Sequence, residues 1–123
     1  MKRVLSMLTA CAMGAAVTAA PAAAHHGWNW TTGENRELTG TITGVSLGNP
    51  HGTLEVEVDG ETWTVEVGQP WRNERAGLRE GDLAEGVEAT FVGEASSDTS
   101  DRRLKVERLV IDGQTYELYP GRD

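Results

Sequence analysis

The sequence predicts an all-β fold with one short helix, in which five to six short strands close on themselves. Two adjacent runs alternate strictly: Leu54, Val56 and Val58 against Glu55, Glu57 and Asp59, then Trp63, Val65 and Val67 against Thr62, Thr64 and Glu66. Asp59-Gly60 between them is a two-residue hairpin signal, because glycine accepts the positive φ that such a turn needs. The patterned segments also run in a telling order: three strands, a short helix, two strands and a short terminal one. All of this fits into residues 37–123, and so small a sheet leaves raw edges unless it closes.

Residues 1–24 have the three parts of a secretory signal. Lys2 and Arg3 form the basic end, residues 4–20 the apolar stretch, and Ala22-Ala23-Ala24 a small-residue cleavage site after Ala23 or Ala24. The stretch approaches the length of a membrane span, but alanine and threonine make it weakly apolar and no basic stop-transfer flank follows. Cleavage and export to the periplasm or beyond is the expectation, with no membrane attachment afterwards. Leu8-Thr9-Ala10-Cys11 also resembles a lipobox that would place a lipid on Cys11. That cut leaves a very short apolar run before Cys11 and a second apolar run after it, which disfavours it.

Cys11, Met1, Met7 and Met13 are all in this leader, so the mature chain has no disulfide and no sulfur ligand for Cu(I) or an iron–sulfur cluster. Removing Lys2 and Arg3 from 11 basic residues leaves 9 against 19 acids, a net charge of −10. Such a surface repels nucleic acid and anionic membrane and attracts cations, besides keeping the domain well solvated.

Residues 25–36 read as an N-terminal arm, polar and without periodicity. The first strand starts at Glu37 with Leu38, Gly40 and Ile42 inward; Gly44 allows a bulge that hands the inward face to Val45 and Leu47. The segment 48–52, Gly-Asn-Pro-His-Gly, is a turn. After the hairpin, Pro70 opens a short helix and Gly77 ends it, with Trp71 and Leu78 on the core-facing side. Val87, Ala89 and Phe91 mark a fourth strand, and residues 93–103 a polar loop. Leu104, Val106, Leu109 and Ile111 form a fifth strand whose inward phase must slip once. Asp112-Gly113 then turns into a short strand over 115–119. Strand order and size together give an OB-like barrel over residues 37–123, with a small open Greek-key sheet as the other architecture.

The chain's three histidines, His25, His26 and His51, are the candidate metal ligands. Neutral imidazole binds Cu(II), Zn(II) and Ni(II), and without sulfur these borderline ions are the candidates. Cleavage after Ala24 would expose an amino-terminal His25 whose amine and ring chelate one ion, with His51 as a further nitrogen. Cleavage after Ala23 would instead make an Ala-His-His end suited to square-planar Cu(II). Opposed to this, His25 and His26 are ordinary exposed residues on an arm, and His51 a loop residue. Trp28 and Trp30 are either a stacking platform for a ligand or a staple that buries the arm on the barrel. Trp63 belongs to the core. Glu55, Glu57 and Asp59 are explained by solvated alternation, and no nucleophile elbow, phosphate loop or zinc-protease helix occurs.

His25-His26, the 39–42 strand Thr-Gly-Thr-Ile, Asn49-Pro50-His51, Trp63, Gly77-Leu78 and Gly81-Asp82 resemble a family of small exported bacterial proteins of unknown function. The chain departs from that pattern at Gly27, where serine is frequent, and at Gly48, where threonine is. More distantly it resembles the periplasmic OB-barrel copper chaperones, whose methionine-based Cu(I) mode cannot be carried over to a chain without mature methionine. The resulting expectation is a periplasmic or secreted OB-like binding module rather than an enzyme, holding Cu(II) or Zn(II) through His25, His26 and His51. The competing class is a metal-free ligand-binding or protein-interaction module using Trp28, Trp30 and the barrel face. A third, an oxidative copper enzyme built on the terminal histidine, needs a substrate-sized face that so small a domain hardly offers.

Overall fold

The structure is a computed structural model that describes residues 27–122. Along the chain come β1 (Thr31–Ser46), β2 (Thr53–Val58), β3 (Glu61–Glu66), α1 (Pro70–Arg75), β4 (Glu88–Ser96), β5 (Arg103–Ile111) and β6 (Gln114–Glu117). They form a six-stranded, mostly antiparallel sheet in the order β3-β2-β1-β4-β5-β6, with a further parallel pairing of β3 on β5. That extra pairing closes five strands into a hydrogen-bonded ring and leaves β6 as an outer strand on β5. The all-β prediction with one short helix holds, and so does self-closure.

Closure is possible because β1 is long enough to serve two neighbours. Its first part pairs with β4, from Thr31↔Ser96 to Thr41↔Glu88, and its second with β2, from Thr41↔Glu57 to Ser46↔Thr53. The register shifts between Ile42 and Gly44, the bulge expected there. The β2–β3 hairpin turns on Asp59 and Gly60, with φ of 50° and 79°, both in the left-handed region that a tight primed turn requires. Its inward side chains Leu54, Val56, Trp63 and Val65 join Leu38, Ile42, Phe91, Leu104, Val106 and Leu109 in one buried core.

Four expectations are corrected. Residues 31–36 are not a free arm but the start of β1, because β4 continues through Ser96 and supplies them with backbone partners. The loop expected over 93–103 shrinks accordingly to residues 97–102. Val45 and Leu47 are not buried after the bulge; they are 38% and 51% exposed, Val45 at the outer end of the β1–β2 pairing and Leu47 just beyond the end of β1. Trp71 is not a plug but half exposed, with the Arg72 guanidinium 4.5 Å from its ring centroid. The helix is seated instead by Asn73, whose buried side chain accepts from the Gly68 N–H and donates to the Gly68 carbonyl, both at 2.9 Å. Leu78 does fill the core as expected.

The predicted phase slip in the fifth strand is real and has a particular form. Opposite the step from Val92 to Gly93 the register of β5 jumps from Arg108 to Val106, which leaves Glu107 as the extra residue of a bulge. Lys105, Val106 and Glu107 are consequently buried in succession. Gly93 permits this close approach: a Cβ there would collide with the Lys105 carbonyl. Among the described residues no helix is long and apolar enough to cross a membrane.

Candidate functional site

Five charged or polar side chains that the alternation does not anticipate lie buried around β5: Glu66, Glu94, Ser96, Lys105 and Glu107. They gather where the segment entering β1 and the C-terminal segment meet the sheet. Burying a charge is costly unless it is paired, so their partners define what the region can do.

Glu66 ends β3 and lies opposite Lys105 in the parallel β3–β5 pairing. Its Oε2 is 3.8 Å from Lys105 Nζ, and its Oε1 is 3.9 Å from an Arg103 guanidinium nitrogen. The same Oε1 lies 3.1 Å from His51 Nε2. The His51 side chain is 37% exposed and that of Glu66 only 9%, so the pair spans the boundary between solvent and interior. Burial lowers the Lys105 pKa from its ordinary value, and the Glu66 carboxylate opposes that shift.

Trp28 and Trp30 are fastened by cations. The Arg122 guanidinium stands 3.7 Å from the Trp28 centroid and Lys105 Nζ 5.4 Å, while Tyr119 meets the same ring edge-on at 5.1 Å. Arg103 lies 3.8 Å from the Trp30 centroid. Thr31 closes the entry turn with its backbone N–H on the Trp28 carbonyl, its hydroxyl lying between that carbonyl and Glu94, and Ser97 donates to the Trp30 carbonyl. Each ring contact has the geometry of a cation–π or edge pair worth about 1 kcal/mol. These contacts tie both half-buried rings to the sheet and to the C-terminal segment.

Beneath Trp28 lies a second buried acid group. Glu94 accepts from the Thr31 hydroxyl at 2.8 Å and from Arg122 at 3.0 and 3.2 Å. Glu107, wholly buried, has Arg122 Nε at 3.6 Å, and neither of its oxygens has a hydrogen bond of good geometry among the described residues. Burial raises the pKa of Glu107 and the neighbouring Glu94 raises it further, against opposing effects of Asn35 and Arg122. Burial acts on Glu94 in the same direction, but Thr31, Arg122 and Glu107 together hold it below its ordinary value. One carboxyl is driven toward its neutral form and the other kept ionised, the usual outcome when two acids share one cation.

Of the residues singled out in the sequence, His25 and His26 lie outside the described residues. His51, Trp28 and Trp30 are all placed around the β3–β5 seam. Among the described residues no group of three histidine, cysteine or acidic side chains comes together for a metal ion; His51 has one such neighbour, Glu66. Sequence reasoning missed Glu66, assigned to the solvent face, and the buried Glu94, Lys105 and Glu107. The available signal was the phase slip itself: Lys105 and Glu107 flank Val106 at the position where the strand must break its alternation.

A closed, strand-rich domain with a cation–aromatic clamp over a buried polar seam is the class that fold and site define. A model described as "Family of unknown function (DUF6152)" matches residues 13–105, and the chain belongs to that family. No curated protein matches it. Among solved structures it is similar to part of TiaS, a tRNA agmatidine synthetase. The complex of TiaS with its tRNA, AMPCPP and agmatine is 16% identical, with a TM-score of 0.49 over 63% of this chain and 18% of that one. The ZRD-deleted mutant with agmatine gives 15% and 0.49 over 69% and 26%, and the apo form 15% and 0.48 over 63% and 18%. The chain thus spans between 18% and 26% of those proteins' length, and nothing of their activity is carried over.

Proposed function

We propose that the chain is an exported, non-enzymatic binding module of OB-like architecture that holds a divalent metal ion, Cu(II) or Zn(II), through His25, His26 and His51. The ring order, with a parallel β3–β5 contact and a helix between β3 and β4, supports the architecture. The observation that carries the metal reading is the nearness of Gly27 to the neighbours of His51. A Cβ on Gly27 would lie 3.8 Å from Lys105 Nζ, and Lys105 Nζ lies 3.8 Å from the Glu66 carboxylate that contacts His51. His26 precedes Gly27 in the chain, so the described chain begins beside the residues that contact His51, which supports the reading. The acidic chain and the sulfur-free donor set favour a divalent cation.

The competing reading, a metal-free ligand or protein-interaction module working through Trp28 and Trp30, needs those ring faces free, and each has a guanidinium on it. Export to the periplasm or exterior is tested by the mass of the mature amino terminus. Cleavage after Ala23 or Ala24 is expected, and a lipid on Cys11 overturns it. The metal reading is tested by calorimetric titration of the correctly processed protein with Cu(II). His51→Ala is expected to weaken binding at least about tenfold, roughly 1.4 kcal/mol, and to change the copper spectrum. Equal affinity and an unchanged spectrum mean that a flexible end binds alone, and the reading falls.

A further inference from the structure

We propose that Glu94, Glu107 and Arg122 form a latch worked by a single proton, which keeps Trp28 seated on the domain while the acid pair holds that proton and lets the ring lift when it is lost. The latch is independent of the metal reading. Its side chains come from β4, β5 and the C-terminal segment, and Glu94 also accepts from the Thr31 hydroxyl at the start of β1. The two carboxyls are 3% and 0% exposed, with one guanidinium between them. One proton on the pair makes the group electrically neutral. It also gives Glu107 a use: neither of its oxygens receives a hydrogen bond as an acceptor, but a protonated carboxyl donates, and the Glu94 carboxylate beside it accepts.

Loss of that proton leaves two carboxylates against one cation, and with Glu107 wholly buried the surplus charge is relieved only by admitting water. The sheet is not free to yield, because β4 is paired with β1 and β5, and β5 with β4, β6 and β3. The cover is. Trp28 lies 3.7 Å from the Arg122 guanidinium, and apart from that guanidinium the described tail beyond Tyr119 is held by the Arg122 N–H on the Tyr119 carbonyl at 3.3 Å. Toward the amino terminus, the sheet anchor nearest Trp28 is the Trp30 carbonyl, which takes the Ser97 N–H and hydroxyl. The Trp28 ring can therefore move without breaking a strand pairing. The charged groups facing Glu107 are Glu94 from β4 and Arg122 from the tail, and β1 presents the neutral Asn35. Burial and Glu94 both raise the Glu107 pKa, so the proton leaves above the ordinary 4.5 and the latch opens as pH rises. Lys105 and Tyr119, with ordinary values of 10.5 and 10.0, also meet the Trp28 ring, so the test must separate them.

The test is acrylamide quenching of tryptophan fluorescence on the processed protein from about pH 5 to about pH 9, below the ordinary lysine and tyrosine range. The parent is compared with Trp28→Phe, whose difference from it isolates the Trp28 signal, and with Glu107→Gln and Glu94→Gln. In the parent the Trp28 quenching constant is expected to rise at least about twofold with pH. In both amide variants it should stay at its low-pH level, because a single carboxylate is matched by the guanidinium. Circular dichroism identifies which variants fold, and if Glu107→Gln does not, Glu94→Gln carries the comparison. A flat parent profile overturns the latch. So does a parental rise that persists in a folded amide variant, which assigns the movement to another group such as Lys105.

Discussion

Two carboxylate groups lie near each other under Trp28, and they are built to opposite specifications. At Glu66, two cations and an imidazole converge on one carboxylate, and the imidazole is more than a third exposed. At Glu94 and Glu107, two carboxylates share one guanidinium, and they are 3% and 0% exposed. The second group consumes its partners internally: Thr31 and Arg122 hydrogen-bond Glu94, and burial drives Glu107 toward its neutral form. At the first, a partly exposed imidazole meets the carboxylate at the boundary with solvent.

Both groups hang on the same core, so the largest effects should strike them together. Phe91→Ala and Trp63→Ala remove aromatics that are 0% and 7% exposed, and each should cost about 3–5 kcal/mol in urea unfolding. A loss below about 1 kcal/mol for either would show that it does not support the shared core.

Next in size is the dry group's single cation. Arg122→Ala leaves Glu94 short of two charge-assisted hydrogen bonds and Trp28 uncovered, and should cost about 1–3 kcal/mol. Arg103→Ala should cost less, because Glu66 keeps Lys105. The reverse order would erase the distinction between the two groups.

Smaller again is a pH dependence to which the dry group contributes two oppositely shifted carboxyls. Glu107 holds its proton more tightly folded than unfolded, so its contribution is complete below the ordinary carboxyl value of 4.5 and is lost as pH rises through the raised one. Glu94 behaves oppositely: its contribution is present above 4.5 and is lost as pH falls through its lowered value. Stability should peak between the two. Glu107→Gln, which removes the carboxyl whose pKa burial raises, should lessen the decline on the alkaline side and leave the acid limb intact. Denaturant midpoints measured across pH decide this, and a parental alkaline decline in the variant contradicts it.

The smallest expected effect on stability is at His51. His51→Ala removes a partly exposed imidazole from Glu66, which keeps Lys105 and Arg103, and should lower the unfolding free energy by less than about 1 kcal/mol. A large loss of stability would move His51 from the site into the framework.

Most of the framework was legible because it depends on period and punctuation. The hairpin at Asp59-Gly60, the bulge at Gly44 and the helix opening at Pro70 each follow from a local backbone requirement. What could not be read depends on non-local partners. Residues 31–36 have no alternation, and only the extension of β4 to Ser96 makes them a strand. Trp71 occupies a helical core-facing position by count, yet the polar seat of Asn73 turns it outward. Glu66 continues an outward alternation and is buried only because the parallel pairing brings Lys105 across from it. Of the candidate site, the residue types at His51, Trp28 and Trp30 were visible, but the carboxylate between them was not.

The clasp of Arg122 on Trp28 also orders events in time. Its two halves stand near opposite ends of the described chain, and a chain is made from its amino terminus. The ring of Trp28 therefore has no guanidinium to stack on until nearly all of that sequence has been made. Tyr119 and Ser97, which also fasten the segment entering β1, arrive in the later part of synthesis too. The Trp28 end of that segment is consequently fastened only when the C-terminal residues are available.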